Sequence, residues 1–434
     1  MVESFPYDHD NSAFVRIARR DFERAIKVPS SFISDASSHF ASTYQAWTDA
    51  CLSNKFKGIL PMLEKTLVIS RQMADFFPGY DHIADPLIDF SDYGLKANNV
   101  RKIIIELRQQ LIPLVQTVTA QEIADDSCLH KHFPEKKQLD FSAQMIKAFG
   151  FNFSRGRQDQ SPHPFTISLS IDDVRITTRI IEGDLSWGFF STTHEAGHPM
   201  YEQGIKRSFE DTPLKRGTSS SIHESQSRTW ENLVSRSRPF WEYFYPHLQK
   251  TFPEQLNPVS LDSFYRAVNK VQRSVIRTEA DELTYNLHVM IRFELELQLM
   301  EGELAVKDLP EAWRAAYQRV LGLSTDNDSD GCMQDIHWFS KMIGGAFQGY
   351  TLGNIISAQF FERALQAHPE IPQEFRKGEF HTLRNWLTEH IYQHGRKFTT
   401  TELIQRITGE GLSIGPYIRY LKKKFSELHK IEKH

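Results

Sequence analysis

The strongest constraint on this chain is its helical period. In "SAFVRIARRDFERAIKVP" the apolar residues Phe14, Ile17, Ala18, Phe22 and Ile26 recur at spacings of three and four, and the pattern stops at Pro29. The period returns over residues 44–54, 58–76, 98–119, 137–150 and 261–300, with short breakers such as "HFPEKK" and "QDQSPHP" between. One stretch departs from it. Residues 163–184, "HPFTISLSIDDVRITTRIIEGD", are rich in Ile, Thr and Val, alternate in part, and carry an Asp172-Asp173 turn signal, which predicts a β-hairpin. The expected fold is mainly α, a large helical body with one small antiparallel β-sheet. No linker separates domains, so residues 1–434 read as a single domain.

At 434 residues the chain exceeds the usual ceiling for one compact core, so length alone leaves either two domains or one large multi-lobed helical body. Apolar residues at 40% and charged residues at 24% can fill such a core and exclude a disordered chain. A net charge of −4 gives no electrostatic case for a nucleic acid or an anionic membrane. No apolar run approaches the roughly eighteen residues of a membrane span, and no basic-then-apolar leader pattern opens the chain. Cys51, Cys128 and Cys332 are too few for a disulfide framework, so free thiols and a cytoplasmic location are expected.

The β-rich stretch leads directly into "STTHEAGHPMYEQG". Residues four apart share a helix face, so His194 and His198 can aim ring nitrogens at one cation, with Glu195 beside them as a general base for a metal-bound water. Composition alone yields HExxH in roughly one of twenty such chains, so further residues must support the reading. A catalytic site needs a third ligand. Glu224, in "SSSIHESQSRTWEN", follows a loop, "EDTPLKRGTSSS", that lets a second helix fold back, with Ser219, Ser220 or Ser221 as its cap. His223 is a rival ligand, and adjacent helical residues point about 100° apart, so one of the two faces away. Pro199 predicts a kink beside the second histidine.

Paired with "IHESQSRTWEN", "HEAGHPMYEQG" resembles the carboxypeptidase Taq family of metallocarboxypeptidases. "DVRIT" (173–177) is similar to that family's DxRxT, "IRTEADELTYNLHVMIR" (276–292) to IRxxAD, and "GCMQDIHW" (331–338) to GxxQDxHW; "HPF" at 163–165 and "YTLGN" at 350–354 fit as well. The resemblance runs in order along almost the whole chain. It implies a deep central groove with the metal at its floor, beside the sheet, and broad-specificity release of single C-terminal residues from peptides bearing a free carboxylate. His194, His198 and Glu224 would hold the divalent metal, zinc by default, with cobalt or manganese acceptable to the same set. Glu195 would act as base and then acid, with His337 and Tyr350 assisting at the oxyanion. Arg277 is the expected clamp for the substrate carboxylate, against a plain salt bridge to Glu279, Asp281 or Glu282. His163 is expected near the carboxylate end of the substrate. Arg175 is assigned to substrate binding too, chiefly by organising the groove wall with Asp173 as a buried pair. The resemblance also implies a homodimer.

Against the family pattern the segment matching "VRIARRDFERA" starts early, so a short N-terminus is expected, with consequences for the groove roof. The glycine-rich "IGGAFQG" predicts a mobile Tyr350, and Cys332 reads as a reactive thiol or as a small buried hydrophobe. Two alternatives stand beside the carboxypeptidase. One is a catalytically impaired metal-binding helical protein acting as a peptide-binding or scaffolding partner. The other is a different HExxH peptidase that removes dipeptides or cuts internal bonds.

Overall fold

A computed structural model of the protein describes residues 5–430. The helices come in long runs, as the period requires. They are α1 (Asp10–Lys27), α2 (Ser30–Ser53), α3 (Phe56–Asp75), α4 (Asp85–Ser91), α5 (Ala97–Thr119) and α6 (Glu135–Phe149). A small sheet follows, then α7 (Leu185–Gly204), α8 (Ser220–Arg228), α9 (Arg238–Thr251), α10 (Pro253–Leu256) and α11 (Leu261–Val268). After them run α12 (Tyr285–Glu301), α13 (Leu309–Leu321), α14 (His337–Ser340) and α15 (Gln348–Ala367), with shorter helices to the C-terminus. Among the described residues no helix is long and apolar enough to cross a membrane.

Three expected elements come out differently. The period over 44–54 marks only the end of α2, which starts at Ser30. The period over 261–300 is not one helix: α11 ends at Val268, a single 3₁₀ turn spans Arg277–Glu279, and α12 starts at Tyr285. The charged segment between them is held by side chains instead, since the half-buried Asp281 accepts from the backbone of Gln272, Leu283 and Thr284. The sheet is mixed and not purely antiparallel. β2 (Thr166–Ser170) and β3 (Asp173–Thr178) form the predicted hairpin, but β1 (Gln158–Gln160) lies parallel on the other side of β3. Three polar residues carry no alternation, which is why "QDQ" reads as a breaker.

The apolar stripe of α1 is only partly used. Ala13 and Ile17 are buried, whereas Phe22 and Ile26 are 64% and 65% exposed, so the stripe does not form one buried face.

The chain forms two compact units. The first takes the residues up to Ile17, Ala120–Val271 and the chain from Leu352 onward. Its core includes Ile171, Ile205, Phe209 and Leu214 with Ala13 and Ile17, and an aromatic cluster in which Phe149 stacks on Trp230 at 4.7 Å and meets Phe380 edge-on at 5.0 Å. The second takes Ala18–Thr119 and Gln272–Thr351. There α2 packs on α3, and α12 on α13, α3 and α5. Its centre is polar: Arg292 is fully buried beneath Trp313 and bonded to Asp335, Gln334 and Tyr317.

Candidate active site

The site is built on α7. Asp184 caps its start, accepting from the N–H groups of Ser186 and Trp187 at 2.8 and 3.1 Å. Ten residues on, His194 and His198 share one face with ring centroids 5.2 Å apart. The helix passes through Pro199 without ending. A proline has no N–H, so the carbonyl of Glu195 loses its helical donor. Thr166 on β2 replaces it: its hydroxyl lies 3.3 Å from the Glu195 carbonyl and 2.8 Å from the Glu195 carboxylate. The feature that reads in sequence as a flaw thus gives the strand a hold on the proposed base. Burial raises the Glu195 carboxyl above the usual range, and His194 and the Thr166 bond only partly offset it.

α8 delivers the third acidic group. Ser219 caps it by accepting from Ile222 N at 3.3 Å, and the helix lies against α7. Gly197, inside HExxH, makes this approach possible, because a Cβ there would stand 2.5 Å from Ser227 Cα and 2.6 Å from the Gln226 carbonyl oxygen. On the other side of Glu224, a Cβ at Gly353 of α15 would stand 2.4 Å from Glu224 Cγ. Glu224 Oε2 consequently sits 3.7 Å from His194 Nε2 and 3.8 Å from His198 Nε2, with all three donor atoms within 4.8 Å of one another. Two imidazole nitrogens and one carboxylate oxygen at this spacing fit one divalent cation with metal–ligand distances of about 2 Å. Between the rival residues 223 and 224, the structure turns Glu224 toward both histidines and His223 to the far side of His198.

Several residues around this cluster were not picked out from the sequence. After α8 the chain widens into a π-helical turn, Thr229–Ser235, which brings Glu231 Oε2 to 2.9 Å from His194 Nδ1. Burial alone would raise the Glu231 carboxyl; Arg228, His194 and Arg236 outweigh it and hold it at about 2. Arg228 bridges the cluster, donating through Nε to Glu224 Oε1 at 2.7 Å and through Nη1 to Glu231 at 3.1 Å. The His198 ring is pushed well below its usual range by burial and by the neighbouring His223 and His194, which favours the neutral imidazole a metal ligand requires. His194 is pulled down by burial, but the Glu224 charge and the Glu231 bond leave it raised.

Arg277, His337 and Tyr350 lie in the second unit. Arg277 is buried and pairs with Asp335, not with Glu279, Asp281 or Glu282: Nε is 3.0 and 3.1 Å and Nη2 2.6 Å from its carboxylate oxygens, while Nη1 donates to Tyr285 Oη at 3.0 Å. His337 Nε2 and Tyr350 Oη are 2.9 Å apart, which ties Tyr350 down despite the glycines ahead of it. Burial and the nearby Arg277 hold the His337 ring at about 3, so it is neutral. Arg175 does meet Asp173, at 2.7 and 2.8 Å, but the pair is half-exposed and not buried. His163 is exposed in the loop between β1 and β2. Cys332 is buried and burial pushes its thiol up, the behaviour of a packed apolar group and not of a reactive thiolate.

Residues 3–425 match the family model of the carboxypeptidase Taq (M32) metallopeptidases. The chain belongs to that family. It is 38% identical over 430 residues to the thermostable carboxypeptidase 1 of Thermus thermophilus, spanning 97% of this chain and 84% of that protein. Carboxypeptidase 1 of Bacillus subtilis is 36% identical over the same shares of the two chains. The crystal structure of the M32 carboxypeptidase from Deinococcus radiodurans superposes with a TM-score of 0.96 at 47% identity, covering 99% of this chain and 86% of that one. The chain is therefore a metallocarboxypeptidase of mainly helical fold, and the family implies a divalent metal ion and peptide substrates.

Proposed function

We propose that this metallocarboxypeptidase removes single residues from the free C-termini of peptides, with broad side-chain specificity, at the His194–His198–Glu224 cluster. The observation that carries this reading is the convergence of those three donor atoms within 4.8 Å beside a buried glutamate, Glu195, that is not one of them. A site that only stored metal would have no use for that fourth group.

His194, His198 and Glu224 would hold the cation, with zinc preferred for a two-imidazole, one-carboxylate set and cobalt or manganese also accommodated. When bound, it supplies Lewis-acid polarisation of a water and of the scissile carbonyl. Glu195 takes the proton of the attacking water and returns it to the leaving amine, and its raised carboxyl suits both directions of transfer. Thr166 keeps the Glu195 carboxylate in one orientation. Roles for the remaining groups rest on their motifs. Arg277 binds the terminal carboxylate of the substrate, with Asp335 fixing the plane of its guanidinium. His337 and Tyr350 donate to the developing oxyanion, and His163 and Arg175 line the substrate path. The whole chain works as one catalytic domain, as a homodimer, in the cytoplasm, in keeping with its three free cysteines.

Mass spectrometry of an unblocked peptide, with the protein alone, with added zinc, cobalt or manganese, and with Glu195→Gln, tests the proposal. The expected result is a metal-dependent ladder losing one C-terminal residue at a time and absent in the variant. Release of dipeptides, internal cleavage, or one bound metal equivalent without any cleavage would each overturn it.

A further inference from the structure

The two histidines of the cluster are backed differently. His194 Nδ1 meets a carboxylate directly, that of Glu231 at 2.9 Å. His198 Nδ1 meets a second imidazole instead, His223 Nδ1 at 2.9 Å, and His223 Nε2 lies 2.6 Å from Glu202 Oε1. Glu202 is buried, and the same oxygen accepts from Gly217 N at 2.9 Å. The His223 ring has little room to turn. It lies 5.0 Å from the rings of both His198 and Tyr201, and a Cβ on Gly217 would stand 2.6 Å from its Cδ2.

With both rings neutral, one arrangement of protons satisfies this row. A carboxylate offers acceptors only, so His223 must carry its proton on Nε2, where it donates to Glu202. His223 Nδ1 is then bare and accepts, so His198 must carry its proton on Nδ1. His198 Nε2 is left with its lone pair directed at Glu224 and the space beside His194. The reverse order would set the bare Nε2 of His223 against a carboxylate at 2.6 Å and place a proton on His198 Nε2, where a ligand nitrogen must have none.

We propose that His223 and Glu202 are positioning residues for His198: Glu202, acting through His223, selects the His198 tautomer that presents Nε2 as a metal ligand. This rests on the reading of His198 as a ligand. It assigns to the first residue of the His-Glu-Ser-Gln block, which faces away from the cluster, a part in forming it. Outer partners of this kind typically change metal affinity by about 10–100-fold when removed.

The test uses the full chain labelled with ¹⁵N in histidine, and zinc as the probe. In the metal-free protein, long-range ¹H–¹⁵N spectra should show His198 protonated on Nδ1 and His223 on Nε2, and Glu202→Gln should admit the opposite tautomers. Zinc affinity, measured by competition with a chelator, should fall about 10–100-fold in His223→Phe, which keeps a ring without nitrogen, and recover largely in His223→Gln, whose amide oxygen can accept from His198 Nδ1. Equal thermal midpoints for the two variants would show that the difference is not one of folding. A wild-type His198 protonated on Nε2, or His223→Phe with unchanged zinc affinity, overturns the proposal. Failure of the underlying site reading looks different: the wild type then binds no zinc at the cluster while the tautomers remain as described.

Discussion

At the level of single residues, what matters most is which oxygen or nitrogen each side chain leaves available. Glu195 is identifiable in the sequence as the E of HExxH, but its anchor is not, because Thr166 lies 29 residues away and reaches it only through the sheet. Replacing Thr166 by Val should lower kcat about 10-fold, the order of one hydrogen bond to a charged group, with metal content unchanged on elemental analysis. Glu195→Gln should retain metal as well and lose about 10²–10⁴-fold in rate. Glu296 of α12 gives a pH prediction away from the cluster. It is fully buried, and burial lifts its carboxyl to about 7 despite bonds from Trp338 and from the backbone of Gly344 and Ala346. A carboxyl raised in the folded state stabilises most below its unfolded pKa of about 4.5 and loses that contribution as pH rises through 7. The loss amounts to about 3 kcal/mol at about 1.4 kcal/mol per unit. Denaturation of the Glu296→Gln variant should lack this decline between pH 4.5 and 7.5; a curve parallel to wild type would contradict the assignment.

At the level of elements, close backbone approach decides whether the site exists. Gly197 lets α8 lie against α7, and Gly353 leaves space for the Glu224 side chain. Gly197→Ala should destabilise by about 2–4 kcal/mol, since its Cβ would meet backbone that cannot move aside, and should weaken metal binding with it. Urea unfolding and metal titration of the same variant check both effects. The helix period located α1, α3, α5 and α6 to within a few residues, because burial of one face leaves a record every third or fourth residue, but it caught only the end of α2. It failed where another force shapes the backbone. Residues 269–284 are held by Asp281 and not by an apolar face, and three residues of β1 are too few for any period. The π-helical turn that brings Glu231 to His194 leaves no composition signal at all.

At the level of the whole molecule, a bound cation should stabilise the fold by mass action. Zinc at 100 times its Kd should add about 2.7 kcal/mol to unfolding, seen as a raised thermal midpoint that a chelator reverses and that His194→Ala abolishes. Arg277→Ala should cost most of the activity, about 10²-fold, on free-carboxylate peptides while sparing amidated ones, and Arg277→Lys should not restore it, because a lysine cannot reproduce the planar fork that Asp335 holds. Equal losses on both kinds of peptide would remove the clamp role. The sequence by itself determined the helical class, the hairpin ahead of the HExxH helix and the family, because period and motif spacing are local properties of the chain. Tertiary structure alone decided that His223 turns to the Nδ1 side of His198, that Arg277 pairs with Asp335, and which groups stand behind each imidazole. Those outcomes depend on which helix lies against which, and on how closely two glycines let them come, over separations along the chain that no local pattern spans.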